Sequence, residues 1–199
     1  MKIIDNLKYY LAKRKLRKLT CNIKRQAIVC NFKDIKSVGI IFNATKINDF
    51  NFVKAKIKEL QTQIPNVKVL GFVEKKRLDA FHIQPLDFSF FCLSDLNFSM
   101  ETKENSIHDF VNQKFDVLID LCTKHCIAVK IVVANSKAVF KIGHQTDFYP
   151  EIYDLTIKTL ISDEEKDQTD NKTETSEIKI LYDAIIHYLK IIKPFEYEN

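Results

Sequence analysis

The sequence predicts an α/β fold: a doubly wound, mainly parallel sheet of about six strands with flanking helices, preceded by a basic N-terminal helix. Short β-branched runs alternate with stretches of helical periodicity along most of the chain, the pattern of a sheet covered on both faces. The first of these runs, SVGIIFN (37–43), is short, apolar and β-branched, as a parallel strand buried on both faces is. Composition agrees, since 46% hydrophobic and 29% charged residues in 199 are ordinary globular values. A chain of that length buries roughly 70% of its unfolded surface around one core.

The first element is a helix over residues 3–18. Residues 1–30 hold nine Lys/Arg against one acid, Asp5, so this segment carries +8 of the net +5 and the remainder carries −3. Ile4, Leu7 and Leu11 share one stripe. At 100° per residue that stripe runs on into Arg14, Lys15 and Lys18, while Ala12, Leu16 and Leu19 point about 120° away. Two outcomes are expected: either the first turns dock on the body and the basic end projects, or the helix breaks near Arg14. Residues 1–30 are assigned as a basic helical extension and 31–199 as a single α/β domain.

Residues 37–43 (SVGIIFN) form the first buried strand. Asp49 is placed as the cap of a helix whose Val53, Ile57, Leu60 and Ile64 recur at helical spacing, with Pro65 ending it. Residues 67–73 supply the second strand and complete a βαβ unit. A third strand follows at 88–93, part of a helix at 107–112, a fourth strand at 115–121, a short helix at 126–135, and two more strands at 138–142 and 152–159. Strands 37–43 and 115–121 are expected at the centre of the sheet. Residues 162–177 hold seven acids, two Lys and no apolar side chain, the composition of a mobile loop. It leads to a terminal helix with Ser176 as candidate cap, an apolar stripe of Ile178, Leu181, Ile185, Leu189 and Ile192, and Pro194 as its stop.

Five cysteines, Cys21, Cys30, Cys92, Cys122 and Cys126, are odd in number and irregular in spacing, unlike a secreted disulfide framework. Reduced thiols are expected, with Cys92 packed as a small hydrophobe. No apolar run approaches the length of a membrane span and the N-terminus lacks a secretory signal. The chain is therefore expected to have no transmembrane segment and to act in the cytoplasm, free or peripheral to a membrane.

A Rossmann fingerprint or a Walker loop needs glycines after the first strand, so that backbone N–H groups can approach phosphate. Here that turn reads Asn43, Ala44, Thr45, Lys46, and no glycine lies between Gly39 and Gly71. This argues against NAD or ATP binding in those modes, and no cofactor is expected. Asp116, Asp120, Cys122, His125 and Cys126 cluster around the end of the fourth strand, and ligands of open α/β sheets bind outside strand carboxyl ends. Asp120, Cys122 and His125 are accordingly ligand-pocket candidates. Cys122, His125 and Cys126 on one helical face would offer three ligands, one short of a structural zinc site, so no metal is expected. Asp120 is expected to cap the next helix rather than act as a base. His82, His108, His144 and His187 stand at no catalytic spacing.

The segments SVGIIFNAT (37–45), VKVLGFVEKK (67–76), DFSFFCLSDLNF (87–98), FDVLIDL (115–121), AVFKIG (138–143) and YDLTI (153–157) together resemble an uncharacterised bacterial family known only as a domain of unknown function. The resemblance covers roughly residues 1–160 and carries no functional residue with it. FDVLIDL followed by AVFKIG also looks like the acceptor-side, Rossmann-like half of heptosyltransferase-type glycosyltransferases. Those enzymes need a second such domain to hold the sugar nucleotide, for which this chain is too short, so the likeness implies fold rather than activity.

The function expected is that of a non-enzymatic binding module whose cationic helix docks on RNA, with the ribosome as candidate partner. Lys8, Lys13, Arg14, Lys15, Arg17, Lys18, Lys24 and Arg25 would meet phosphates, and Tyr9 and Tyr10 would stack. The alternative is an anionic membrane surface, with Ile3, Ile4, Leu7 and Leu11 inserted beneath the cationic side chains. A third reading is a sugar- or nucleotide-handling enzyme.

Overall fold

A computed structural model describes residues 2–21, 27–83, 87–102, 105–145, 149–159 and 177–192. The acidic stretch 162–176, its Ser176 cap, Pro194, Lys24 and Arg25 lie outside the described residues. The strands are β1 (Ser37–Asn43), β2 (Asn66–Val73), β3 (Phe88–Cys92), β4 (Val117–Asp120), β5 (Phe140–His144) and β6 (Leu155–Ile157). The helices are α1 (Lys2–Cys21), α2 (Ile47–Gln61), α3 (Asn105–Asn112), α4 (Ile127–Asn135) and α5 (Glu177–Ile191).

All six strands join one parallel sheet in the order β3-β2-β1-β4-β5-β6. The predicted central pair is the central pair, with Val38 opposite Val117 and Ile41 opposite Asp120. The chain winds outward from β1 to β3, returns to the middle at β4 and winds the other way to β6, so the order reverses between β1 and β4. Side chains divide by strand parity. Val38, Ile40 and Phe42 face α2 and α5, which seat Phe50, Val53, Ile57 and Leu60, and Ile178, Leu181, Ile185 and Leu189, on them. Ile41 and Leu118 face α3 and α4 in a second core.

Several local expectations change. Asp49 sits in the first turn of α2, whose N-cap is Lys46 with no side-chain cap bond, and the helix stops at Gln61 ahead of Pro65. β5 begins at Phe140 rather than 138, because Ser136–Val139 spend their donors elsewhere: Ala138 N–H on Ser136 Oγ (3.2 Å) and Val139 N–H on the Phe115 carbonyl (2.8 Å). β6 shrinks to Leu155–Ile157 because Pro150–Ile152 close a 3₁₀ turn before it.

α1 follows neither expected course. It runs unbroken through Arg14, and the stripe that docks is Ala12 and Leu16, both fully buried, with Leu19 half-buried, while Leu7 stays 50% exposed. The reason lies in α4. Its residues Ile127 to Val133 are buried on every side, so one face meets the sheet and the opposite face needs a second cover. The small Ala12 lets α1 approach closely enough to supply that cover. No helix among the described residues is long and apolar enough to cross a membrane.

Candidate functional site

Docking through Ala12 and Leu16 turns the other side of α1 outward. Tyr10 (62% exposed), Arg14, Arg17, Lys18 and Cys21 occupy that face, and Arg14, Arg17, Lys18 and Cys21 line one shallow depression. Lys13 is exposed beside them. Two of the predicted contacts have structural partners instead: Lys15 is ion-paired with Glu101, and Lys8 Nζ lies 5.0 Å from the centre of the Phe98 ring. Tyr149 reaches α1 from the loop after β5 and donates its hydroxyl to the Lys13 carbonyl (3.4 Å). Its backbone is left-handed (φ 58°, ψ 50°), which is costly for a bulky residue and doubly so before Pro150, since a residue preceding proline favours extended backbone. No periodicity reveals Tyr149; its place depends on the chain folding back over a distance of 136 residues.

The carboxyl end of β4 holds the second predicted set, and it is closed. Asp120 is fully buried. One of its carboxylate oxygens accepts the Cys122 N–H (2.8 Å); the other accepts from the Lys130 ammonium (3.1 Å) and the Tyr153 hydroxyl. Lys130 also donates to the Tyr153 oxygen. Asp120 therefore does not cap α4, whose N-cap is Cys126. Cys122, His125 and Cys126 do not share a helical face either, because all three precede the first turn of α4. Burial, then the Asp120 charge, holds the Cys122 thiol well above its ordinary value, and burial pushes Cys126 up to about 11. Burial, followed by the Lys130 and Lys13 charges, lowers His125. His144 is lowered chiefly by burial; its Nε2 meets the Thr159 hydroxyl (2.9 Å), and its buried Nδ1 has no hydrogen-bond partner among the described residues.

Lys130 and Tyr153 escaped the sequence reading, although Lys130 carried a signal: a lone lysine in the run IAVKIVVA, apolar all round, implies a buried cation with an acidic partner. Gly143 makes room for the Tyr153 ring, since a Cβ there would lie 2.4 Å from Tyr153 Cε1. The turn after β1, where a phosphate would sit in a nucleotide-binding sheet, is consumed by its own side chains. Asn43 Oδ1 takes the Thr45 N–H (3.0 Å), Thr45 Oγ1 takes the Glu74 N–H (2.7 Å), and His82 Nε2–H donates to the Ala44 carbonyl (2.9 Å). A cleft of about 210 Å³ lined by Lys68, Asp87, Ser89, Asp109 and Gln113 opens toward the amino ends of β2 and β3, away from these groups. Among the described residues no three His, Cys, Asp or Glu side chains converge as metal ligands.

Residues 8–171 match the model of a family of unknown function, DUF6913. The chain belongs to this family. No curated protein and no solved structure matches it. The DUF6913 match takes in α1 from Lys8 onward, so the cationic helix lies within the family's span, and it stops short of α5. In this DUF6913 protein the two groups of side chains thus differ in kind. The set beneath α4 is sealed and internally satisfied; the set on α1 is exposed, cationic and held on a rigid support.

Proposed function

We propose that this DUF6913 protein is a non-enzymatic α/β binding module that docks on RNA, with ribosomal RNA as its target, through the outward face of α1. One observation carries the reading. Ala12 and Leu16 hold the helix in place, which leaves Arg14, Arg17 and Lys18 exposed on its outward face around one depression. Such side chains suit phosphate contacts, which release counterions and are sequence-independent.

The test is RNA binding measured across a salt series, beside sedimentation of the native protein with ribosomes. Replacing Arg14, Arg17 and Lys18 together with Gln is expected to lower affinity and to reduce the slope of log K against log salt by about 2–3, roughly 0.7–0.9 per lost contact. An unchanged slope would sink the proposal. So would full binding to phosphatidylserine vesicles without RNA, abolished by Leu7→Ser, which marks a membrane anchor. Leu7 supplies exposed apolar surface on α1 and Leu11 is half-buried, while the side chains of Ile3 and Ile4 lie outside the described residues.

A further inference from the structure

The basic side chains alone would suit duplex and single strand equally. The surroundings do not. Tyr9 (40% exposed) and Tyr10 (62% exposed) stand on α1 one turn before Lys13 and Arg14, and Tyr149, partly buried against the second core, comes from the body to meet the helix at Lys13. From the geometry we infer that the α1 surface is a track for single-stranded RNA, in which Tyr9, Tyr10 and Tyr149 stack unpaired bases while Arg14, Arg17 and Lys18 hold the intervening phosphates. The inference rests on the RNA reading above and names the form of RNA.

Three physical arguments support it. First, a helix glued along α4 offers only half of its circumference, and the major groove of duplex RNA is too deep and narrow to admit even a free one. Second, exposed aromatic rings gain nothing from a duplex whose base faces are already stacked, whereas each unpaired base has a face to offer. Third, Tyr149 keeps a left-handed backbone ahead of a proline, and such strain persists where the surroundings require one side-chain position. That position is the Lys13 carbonyl, to which the hydroxyl donates; burial there raises the Tyr149 phenol, Tyr9 raises it further and Arg17 lowers it. From Tyr10 to Arg17 the helix advances about 10 Å, and at about 100° per residue Tyr10, Arg14 and Arg17 lie within about 60° of one another, so this ring and the two guanidinium groups fall along one short path.

The chain contains seven tyrosines and no tryptophan, so tyrosine emission is readable directly. The experiment titrates the full-length protein with 12-nucleotide oligo(U) and oligo(A) and with the duplex they form, following both anisotropy of labelled RNA and tyrosine quenching. The expected result is single-strand affinity at least tenfold above duplex at equal salt, with quenching by single strands only. Tyr10→Ala and Tyr149→Ala should each weaken single-strand binding on the order of tenfold, leaving the salt slope and duplex binding unchanged, and Tyr10→Phe should restore it. Tyr149 also packs against the second core, so its variants are expected to lose some Tm, whereas Tyr10→Ala, at an exposed position, should lose affinity with Tm unchanged, which separates binding from folding. Equal affinity for both forms with silent tyrosine variants overturns the single-strand inference and leaves the RNA proposal standing. Absence of RNA binding in every arm overturns both.

Discussion

Asp120, Lys130 and Tyr153 close on one another beneath α4, with Asp120 and Lys130 fully buried. Removing one partner of such a pair strands the other charge at a cost of about 3–5 kcal/mol, which explains why three side chains are committed to one arrangement. Lys141, also buried, donates to the Val133 and Ala134 carbonyls (2.6 and 3.4 Å) and so places its charge at the carboxyl end of α4. Tyr153 makes the unit visible in a titration. Burial, then the Asp120 charge and hydrogen bond, holds its phenol well above the usual 10.0. Above pH 10 the unfolded chain has released this proton and the native state has not, so the native state binds more protons and stability falls as pH rises. Tyr153→Phe is expected to make that decline shallower, by about 1.4 kcal/mol in total between pH 9 and 11, measured by urea unfolding over that range. An unchanged slope would mean that Tyr153 ionises normally in the folded protein. Asp120 was legible as a special residue because it ends an apolar strand. Its partners were not, since they follow at distances of 10 and 33 residues that no local period connects.

The pairing of α1 with α4 turns on periodicity read twice. α1 carries two apolar stripes, and the more hydrophobic one, with Leu7 and Leu11, does not dock; the stripe with Ala12 and Leu16 does. Propensity and moment could not decide between them, because the choice belongs to the partner. α4 is apolar all round and needs a cover that approaches closely, and a stripe that begins with the small Ala12 fits that need. Leu16→Ala is expected to lower stability by about 2–5 kcal/mol, measured by chemical denaturation. Leu7→Ser, at an exposed position, should stay within about 0.5 kcal/mol of the parent. A reversal of that order would place the interface on the other stripe. The strand elements were read more easily: β1, β2 and β3 stand within a residue of their expected bounds, since buried parallel strands declare themselves as continuous apolar runs. The later strands shifted where tertiary hydrogen bonds drew Ala138 and Val139 out of the ladder.

For the molecule as a whole, alternation of strands and helices disclosed the class and the central pair of strands was foreseen, whereas the order of the outer strands is set by packing of two cores and had no local trace. α5 is the piece that ties the ends together. It lies beyond the family match yet buries Ile178, Leu181, Tyr182, Ile185 and Leu189 against the sheet face shared with α2. A chain ending at residue 171 is therefore expected to expose that face and to be recovered as aggregate, while the 199-residue chain remains in the supernatant. Equal recovery of both forms would show that α2 alone suffices. The layering of α1 on α4 also orders events in time. A chain is synthesised from its N-terminus at about 5–20 residues per second, and early segments fold first. α1 is synthesised ahead of its seat on Ile127–Asn135, which appears more than a hundred residues later, roughly 5–20 s at those rates. Throughout that interval the nascent helix keeps its apolar stripe uncovered and its cationic face beside the RNA-rich surface that is making it. Its docking is among the late steps of biogenesis.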